Sequence, residues 1–264
     1  MIKPERELLM FKKILPLMLA LVLCLSLAGC TAFAADSAES DPSAGTPGLN
    51  YELSSDGSGY VCVGLGNATT TDIVIPATYK GKPVLAVENG AFYNCVSMTS
   101  LTVQEGVQMI LPYAFRGCVR LEKVVLPGSV SYLGTHAFAM CASLKSVTIA
   151  DNDKTFEDPK DDVRLLEESA FKGCTALEEV RLPEEITLLS RRLFDGCTSL
   201  KEITIPARMA AMDEGCFAGC TSLTTIRYEG TRQQWEDLPK GMLWDLDVGD
   251  HEVICSDDTV KPIQ

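Results

Sequence analysis

Cysteine is the residue type whose spacing first suggests chemistry. Six cysteines stand at positions 95, 118, 141, 174, 197 and 220, separated by steps of 23, 23, 33, 23 and 23. A thiolate is a nucleophile, a metal ligand and a redox centre. Zinc sites bring cysteine pairs within about two to four residues of each other, and this column has no such pair. Cys216 and Cys220 are closer, but no second pair answers them. Two readings remain open. Each cysteine is a small buried hydrophobe filling one wall of a core, or neighbouring copies are joined by disulfides in an oxidising compartment.

Other candidates are sparser. The acidic stretch DNDKTFEDPKDD, 151–162, sets Asp151, Asp153, Thr155, Glu157 and Asp162 at the offsets of a calcium-binding loop. Phe156 stands where that loop needs glycine and Asp162 where it needs glutamate, so a solvated acidic loop is the competing reading. His136 and His251 are the only histidines, which leaves little material for imidazole chemistry. His136 reads as an exposed variable position. No nucleophile elbow, HExxH or repeated carboxylate pair occurs, so no catalytic, cofactor-binding or metal-ligating residue is assigned and no cofactor is expected. A net charge of −13 disfavours nucleic acid, whose phosphates attract Lys and Arg.

What positions these residues is a repeat. AFRGCVRLEKVVLP begins at Ala114, AFAMCASLKSVTIA at Ala137, AFKGCTALEEVRLP at Ala170 and LFDGCTSLKEITIP at Leu193. Phe92, Phe115, Phe138, Phe171, Phe194 and Phe217 keep the cysteine steps, and so do Met98, Leu121, Leu144, Leu177, Leu200 and Leu223. Two further apolar columns start at Leu101 and Val103. The pattern Leu-x-x-Val-x-Leu alternates inward and outward residues, which is the period of a strand. One such strand cannot bury its face alone, so the copies must stack and share a core. Ile73 and Ile75 supply a lead-in strand, making seven. AF-x-x-C-x-x-L has apolar residues three apart, as a tight helical or 3₁₀ turn on the opposite wall requires.

Asn94, Gly117, Gly173, Gly196 and Gly219 precede the cysteines and suit a left-handed turn. Met140 breaks that pattern, so either its turn is looser or the turn is not left-handed.

The outward residues of the strands do not repeat. One column reads Thr102, Val125, Thr148, Arg181, Thr204 and Arg227, and its neighbour includes Lys123, Glu179, Glu202 and Thr225. These ten residues are the candidate binding face, and a merely solvated sheet face is the alternative.

The chain opens with a targeting segment. Lys12 and Lys13 precede the apolar run ILPLMLALVLCLSLA, which is shorter than a membrane span of about 20 residues and fits a signal peptide. The run ends in LAGC, which resembles a bacterial lipobox and implies cleavage before Cys30 with lipidation of its thiol. Simple secretion after cleavage near Ala34, behind the A-x-A site AFA, is the alternative. The small polar residues that follow read as a flexible tether.

A 23-residue period with AF-x-x-C-x-x-L-x-x-V-x-L-P resembles the BspA-like, or Treponema-type, leucine-rich repeats of bacterial surface lipoproteins, from Tyr51 to about Ser256. DGSGYVCVGLG and TDIVIP resemble that family's lead-in, and YEGTRQQW and HEVICSD its end piece. The resemblance implies a right-handed leucine-rich-repeat solenoid, a curved α/β-type or mostly β horseshoe, with the candidate face on its concave wall. The expected division is signal peptide 1–29, tether 30–49, N-terminal cap and first strand 50–88, about six full repeats over 89–228 with the acidic insertion at 151–162, and C-terminal cap 229–264. It also implies a non-enzymatic surface protein, expected as a monomer, that adheres to a protein or glycan on host or neighbouring cells. Membrane contact is then through the lipid at Cys30 alone. A structural lipoprotein of the envelope is the alternative, and an enzyme acting on envelope polymers a more distant one.

Overall fold

The computed structural model describes residues 45–152 and 165–260. The chain winds as a leucine-rich-repeat solenoid in which each turn has three walls.

The first wall is the predicted strand ladder. Its strands are Asp72–Ile75, Ser100–Val103, Lys123–Leu126, Ser146–Ile149, Glu179–Arg181, Glu202–Ile205, Thr225–Tyr228 and Glu252–Ile254. The apolar columns starting at Leu101 and Val103 face inward and are buried. The repeat spacing predicted seven strands. The eighth, Glu252–Ile254, pairs parallel to Thr225–Tyr228, and Thr259–Val260 then folds back antiparallel on it. Turning the chain back this way covers what would otherwise be an open sheet edge.

The second wall is a ladder of short strands that the sequence reading missed. It comprises Lys82–Val87, Met109–Ile110, Tyr132–Leu133, Leu165–Leu166, Leu188–Leu189 and Ala211–Met212. Val87, Ile110, Leu133, Leu166, Leu189 and Met212 are buried here and keep the repeat steps. A strand of two residues is too short to display alternation, so periodicity does not reveal it.

The third wall is built of turns and is not a helix. The Cys118 N–H donates to the Phe115 carbonyl at 3.3 Å and the Leu121 N–H to the Cys118 carbonyl at 3.0 Å. Alternate N–H groups reach the next rung, as from Tyr113 to Thr135 at 3.0 Å, Phe115 to Ala137 at 2.8 Å and Gly117 to Ala139 at 2.9 Å. The turn wall is therefore hydrogen-bonded along the stack as the sheets are, which satisfies backbone groups buried between rungs. Among the described residues the one α-helix is Arg232–Asp237, in the C-terminal cap, where Thr231 and Gln234 form a capping box.

Between the walls run the six phenylalanines, each fully buried. Successive ring centroids lie 5.0, 5.1, 5.7, 5.6 and 5.8 Å apart with the rings within 8° of parallel. Trp244 closes the column, edge-on to Phe217 at 6.3 Å.

The residues before the column cysteines are left-handed without exception. Asn94 has φ 55° and the glycines 69–75°, and Met140, at 62°, keeps the turn despite its side chain. The left-handed region costs a non-glycine residue roughly 1–2 kcal/mol. Glycine adds freedom to the unfolded chain, so Met140→Gly is expected to raise the unfolding free energy by a net of up to about 1 kcal/mol in urea melts. A loss instead would show that the Met140 side chain packs usefully. A second left-handed column, at φ 52–63°, runs through Gly90, Tyr113, His136, Ser169, Arg192 and Gly215. Its residue types vary, so the sequence reading did not detect it.

Both strand walls are interrupted between the same two rungs. Glu179–Arg181 is not paired with Glu202–Ile205, and Leu165–Leu166 is not paired with Leu188–Leu189. The turn wall continues through this seam, with the Phe171 N–H on the Leu193 carbonyl at 3.0 Å and that of Gly173 on Asp195 at 2.7 Å. Glu179 and Glu202 are counterparts in the repeat, so close pairing would set carboxylate against carboxylate, and like charges facing across a ladder are destabilising.

Candidate functional site

The strand ladder carries all ten candidate residues on its outward side, in two blocks separated by the seam. Register places Thr102 beside Val125, Val125 beside Thr148, and Thr148 beside Arg181. Lys123 lies between Ser100 and Ser146, and Ser146 is opposite Glu179. Beyond the seam, Thr204 pairs with Arg227 and Glu202 with Thr225. The first block is chiefly hydroxyl-bearing, with Lys123 within it and Glu179 and Arg181 as charges at its seam edge; the second pairs the charged Glu202 and Arg227 with Thr204 and Thr225.

The two arginines are already engaged. Arg227 forks onto Glu202, Nε to Oε1 at 2.6 Å and Nη2 to Oε2 at 3.2 Å. That carboxylate raises the pKa of the guanidinium. Arg181 donates to Asp151 Oδ2 at 2.8 Å. A ligand binding either arginine must therefore displace, or bind alongside, a carboxylate of the fold. At the seam the face opens into a cleft of about 470 Å³ whose lining includes Asp151, Glu178, Glu179, Arg181, Glu202 and Glu229.

The cysteine column has a role that the filler reading left out. Cys118, Cys141, Cys174, Cys197 and Cys220 each direct the thiol at the carbonyl of the phenylalanine one rung earlier, Phe92, Phe115, Phe138, Phe171 and Phe194, at 3.1–3.3 Å. Each of these carbonyls also accepts the N–H of the cysteine three residues on, as Phe92 does from Cys95 at 3.0 Å. A thiol must be protonated to donate. Burial pushes Cys220 up to about 12 and holds Cys197 well above its ordinary value. Nine described cysteines, Cys62, Cys95, Cys118, Cys141, Cys174, Cys197, Cys216, Cys220 and Cys255, are free thiols.

Among the described residues no group of three or more His, Cys, Asp or Glu side chains could hold a metal ion. Of the calcium-loop candidates only Asp151 is described; Asp153, Thr155, Glu157 and Asp162 lie outside the described residues, as does Cys30. His136 is half-buried rather than exposed, stacked on Tyr113.

The pattern of the BspA type leucine rich repeat region, in six copies, matches residues 85–159 and 152–237, more than half of the chain. The chain belongs to the BspA-type leucine-rich repeat family. Among solved structures this BspA-type chain is similar to the leucine-rich repeat protein of T. pallidum. The two are 26% identical with a TM-score of 0.61, over 77% of this chain and 89% of that one. It is also similar to a leucine-rich repeat protein of Bacteroides ovatus, at 21% identity and a TM-score of 0.45, over 79% of this chain and 70% of that one. No curated protein matches. The seam and the paired arginines are thus features of a BspA-type solenoid.

Proposed function

We propose that this chain is a non-enzymatic binding protein, displayed outside the cytoplasm, that adheres to a macromolecule on host or neighbouring cells through the outward face of its strand ladder. The observation that carries this reading is the contrast between faces. Inward positions restate the same apolar residues in each rung, as the shared core requires, while the outward positions at Thr102, Lys123, Val125, Thr148, Arg181 and Arg227 change from rung to rung. Extended solenoid faces are suited to binding large partners. The leader, the LAGC motif and the polar tether support display at the cell surface through lipid on Cys30.

The test is capture of partners by the mature chain from host matrix proteins, host glycans and whole bacteria. Binding to host or neighbouring-cell material is expected, and Arg181→Ala with Arg227→Ala is expected to weaken it about tenfold or more. Unchanged affinity in that double variant moves the site off the strand face. Binding confined to the bacterium's own envelope would replace adhesion with a scaffold role.

A further inference from the structure

The seam leaves two sheet edges facing each other without a shared ladder. Elsewhere in the first wall one row of backbone bonds links rung to rung. The Lys145 N–H donates to the Glu122 carbonyl and the Glu178 N–H to the Lys145 carbonyl, each at 2.9 Å, and beyond the seam the Thr224 N–H donates to the Lys201 carbonyl at 3.0 Å. The bond that would carry this row from the Lys201 N–H to the Glu178 carbonyl is not made. Unpaired N–H and C=O groups on a sheet edge are a template for another extended chain.

The core is also less covered here. Val180 is 7% and Leu182 8% exposed, whereas Val147, Ile149, Ile203 and Ile205, their counterparts in the adjoining rungs, are 1% or less. The opening is the cleft of about 470 Å³ already described, which is the size of a ligand pocket. Of its carboxylates, Asp151 holds Arg181 and Glu202 holds Arg227. Glu178, Glu179, Glu184 and Glu229 form no ion pair among the described residues. The cleft is therefore strongly negative in a chain of net charge −13, a field that draws in a cationic partner.

We infer that the seam is the docking site of a basic, extended peptide segment of a protein partner. Its backbone takes up the edge groups at Glu178 and Lys201, and its lysine or arginine side chains enter the cleft between Glu179 and Glu202. A cation placed there offsets the like-charge repulsion of the two carboxylates. The apolar stems of such side chains suit the floor at Val180 and Leu182. A bare divalent ion fits less well, because no three carboxylates of the described residues converge on one point. A peptide spreads its charges along the cleft instead. This inference rests on the strand face being the binding surface and names the chemistry of the partner there. Arg181 and Arg227, held by carboxylates of the cleft, would meet acidic groups of the same partner.

The test titrates the mature chain at physiological ionic strength with an acetylated, amidated octapeptide of alternating lysine and threonine. The comparison ligands are the same peptide with glutamate for lysine, spermine, and calcium. Glu178→Gln with Glu179→Gln removes two cleft charges that hold no ion pair. Glu52→Gln with Glu105→Gln removes two exposed charges in the N-terminal rungs. The expected result is saturable binding of the lysine peptide, tighter than that of spermine or calcium, with none of the glutamate peptide. The cleft variant is expected to weaken it about tenfold or more and the distant variant much less, and hydrogen exchange at the Lys201 amide is expected to slow on binding. The proposal is overturned by no saturable binding, by equal losses in the two variants, by an unslowed Lys201 amide, or by spermine or calcium binding as tightly as the peptide. Host material captured by a chain that does not bind the peptide would remove the seam site and leave the strand-face reading standing. Peptide binding without such capture would do the reverse.

Discussion

Phe138→Ala is expected to lower the unfolding free energy by about 3–5 kcal/mol. Phe138 has no exposed surface and lies between Phe115 at 5.1 Å and Phe171 at 5.7 Å. Truncation removes the buried area of a whole ring and opens a cavity in the middle of the spine. It also removes two ring–ring contacts, each worth about 0.5–1.5 kcal/mol beyond burial. The backbone on both sides is hydrogen-bonded to its neighbours, with Phe115 on Ala137 and Phe138 on Ala170, each at 2.8 Å. Collapse of the rungs into the cavity is therefore restricted, which puts the cost towards the upper end of the range. Phe92→Ala is expected to cost less, because Phe92 stacks on Phe115 alone. Denaturant melts give both values, and a loss under about 1 kcal/mol at Phe138 would refute the spine as a source of stability.

Cys141→Ala is expected to cost about 2 kcal/mol, roughly half from burial of the sulfur and half from its hydrogen bond. Cys141 is fully buried and its thiol donates to the Phe115 carbonyl at 3.2 Å. Cys141→Ser keeps a donor in that place while losing apolar bulk, so it is expected to fall between the parent chain and Cys141→Ala. A serine variant as unstable as alanine, or worse, would reduce the cysteine to filler. Denatured without reductant, the nine described cysteines are expected to titrate as thiols. Blocked thiols in that assay would instead show that rungs are cross-linked.

The left-handed turn before each cysteine was legible except at Met140. There a side chain stands where glycine is easiest, and only the backbone shows that the rung geometry overrides the preference. The candidate face was legible as a set of outward positions, because strand alternation assigns direction residue by residue. That Arg181 and Arg227 are already held by Asp151 and Glu202 was not, since those carboxylates lie 30 and 25 positions away.

By itself the sequence determined the repeat, the phenylalanine spine, the register of the cysteine column and seven strands of the first ladder. Each of these positions must match its own counterpart in the next rung, so the constraint is written at a fixed step along the chain. The tertiary structure alone decided the short-strand ladder, the thiol–carbonyl bonds between rungs, and the seam at Glu179 and Glu202 with the cleft it opens. Those features depend on which different positions meet when rungs stack, on two-residue strands too short to show a period, and on residue types free to vary because their side chains lie outside the shared core.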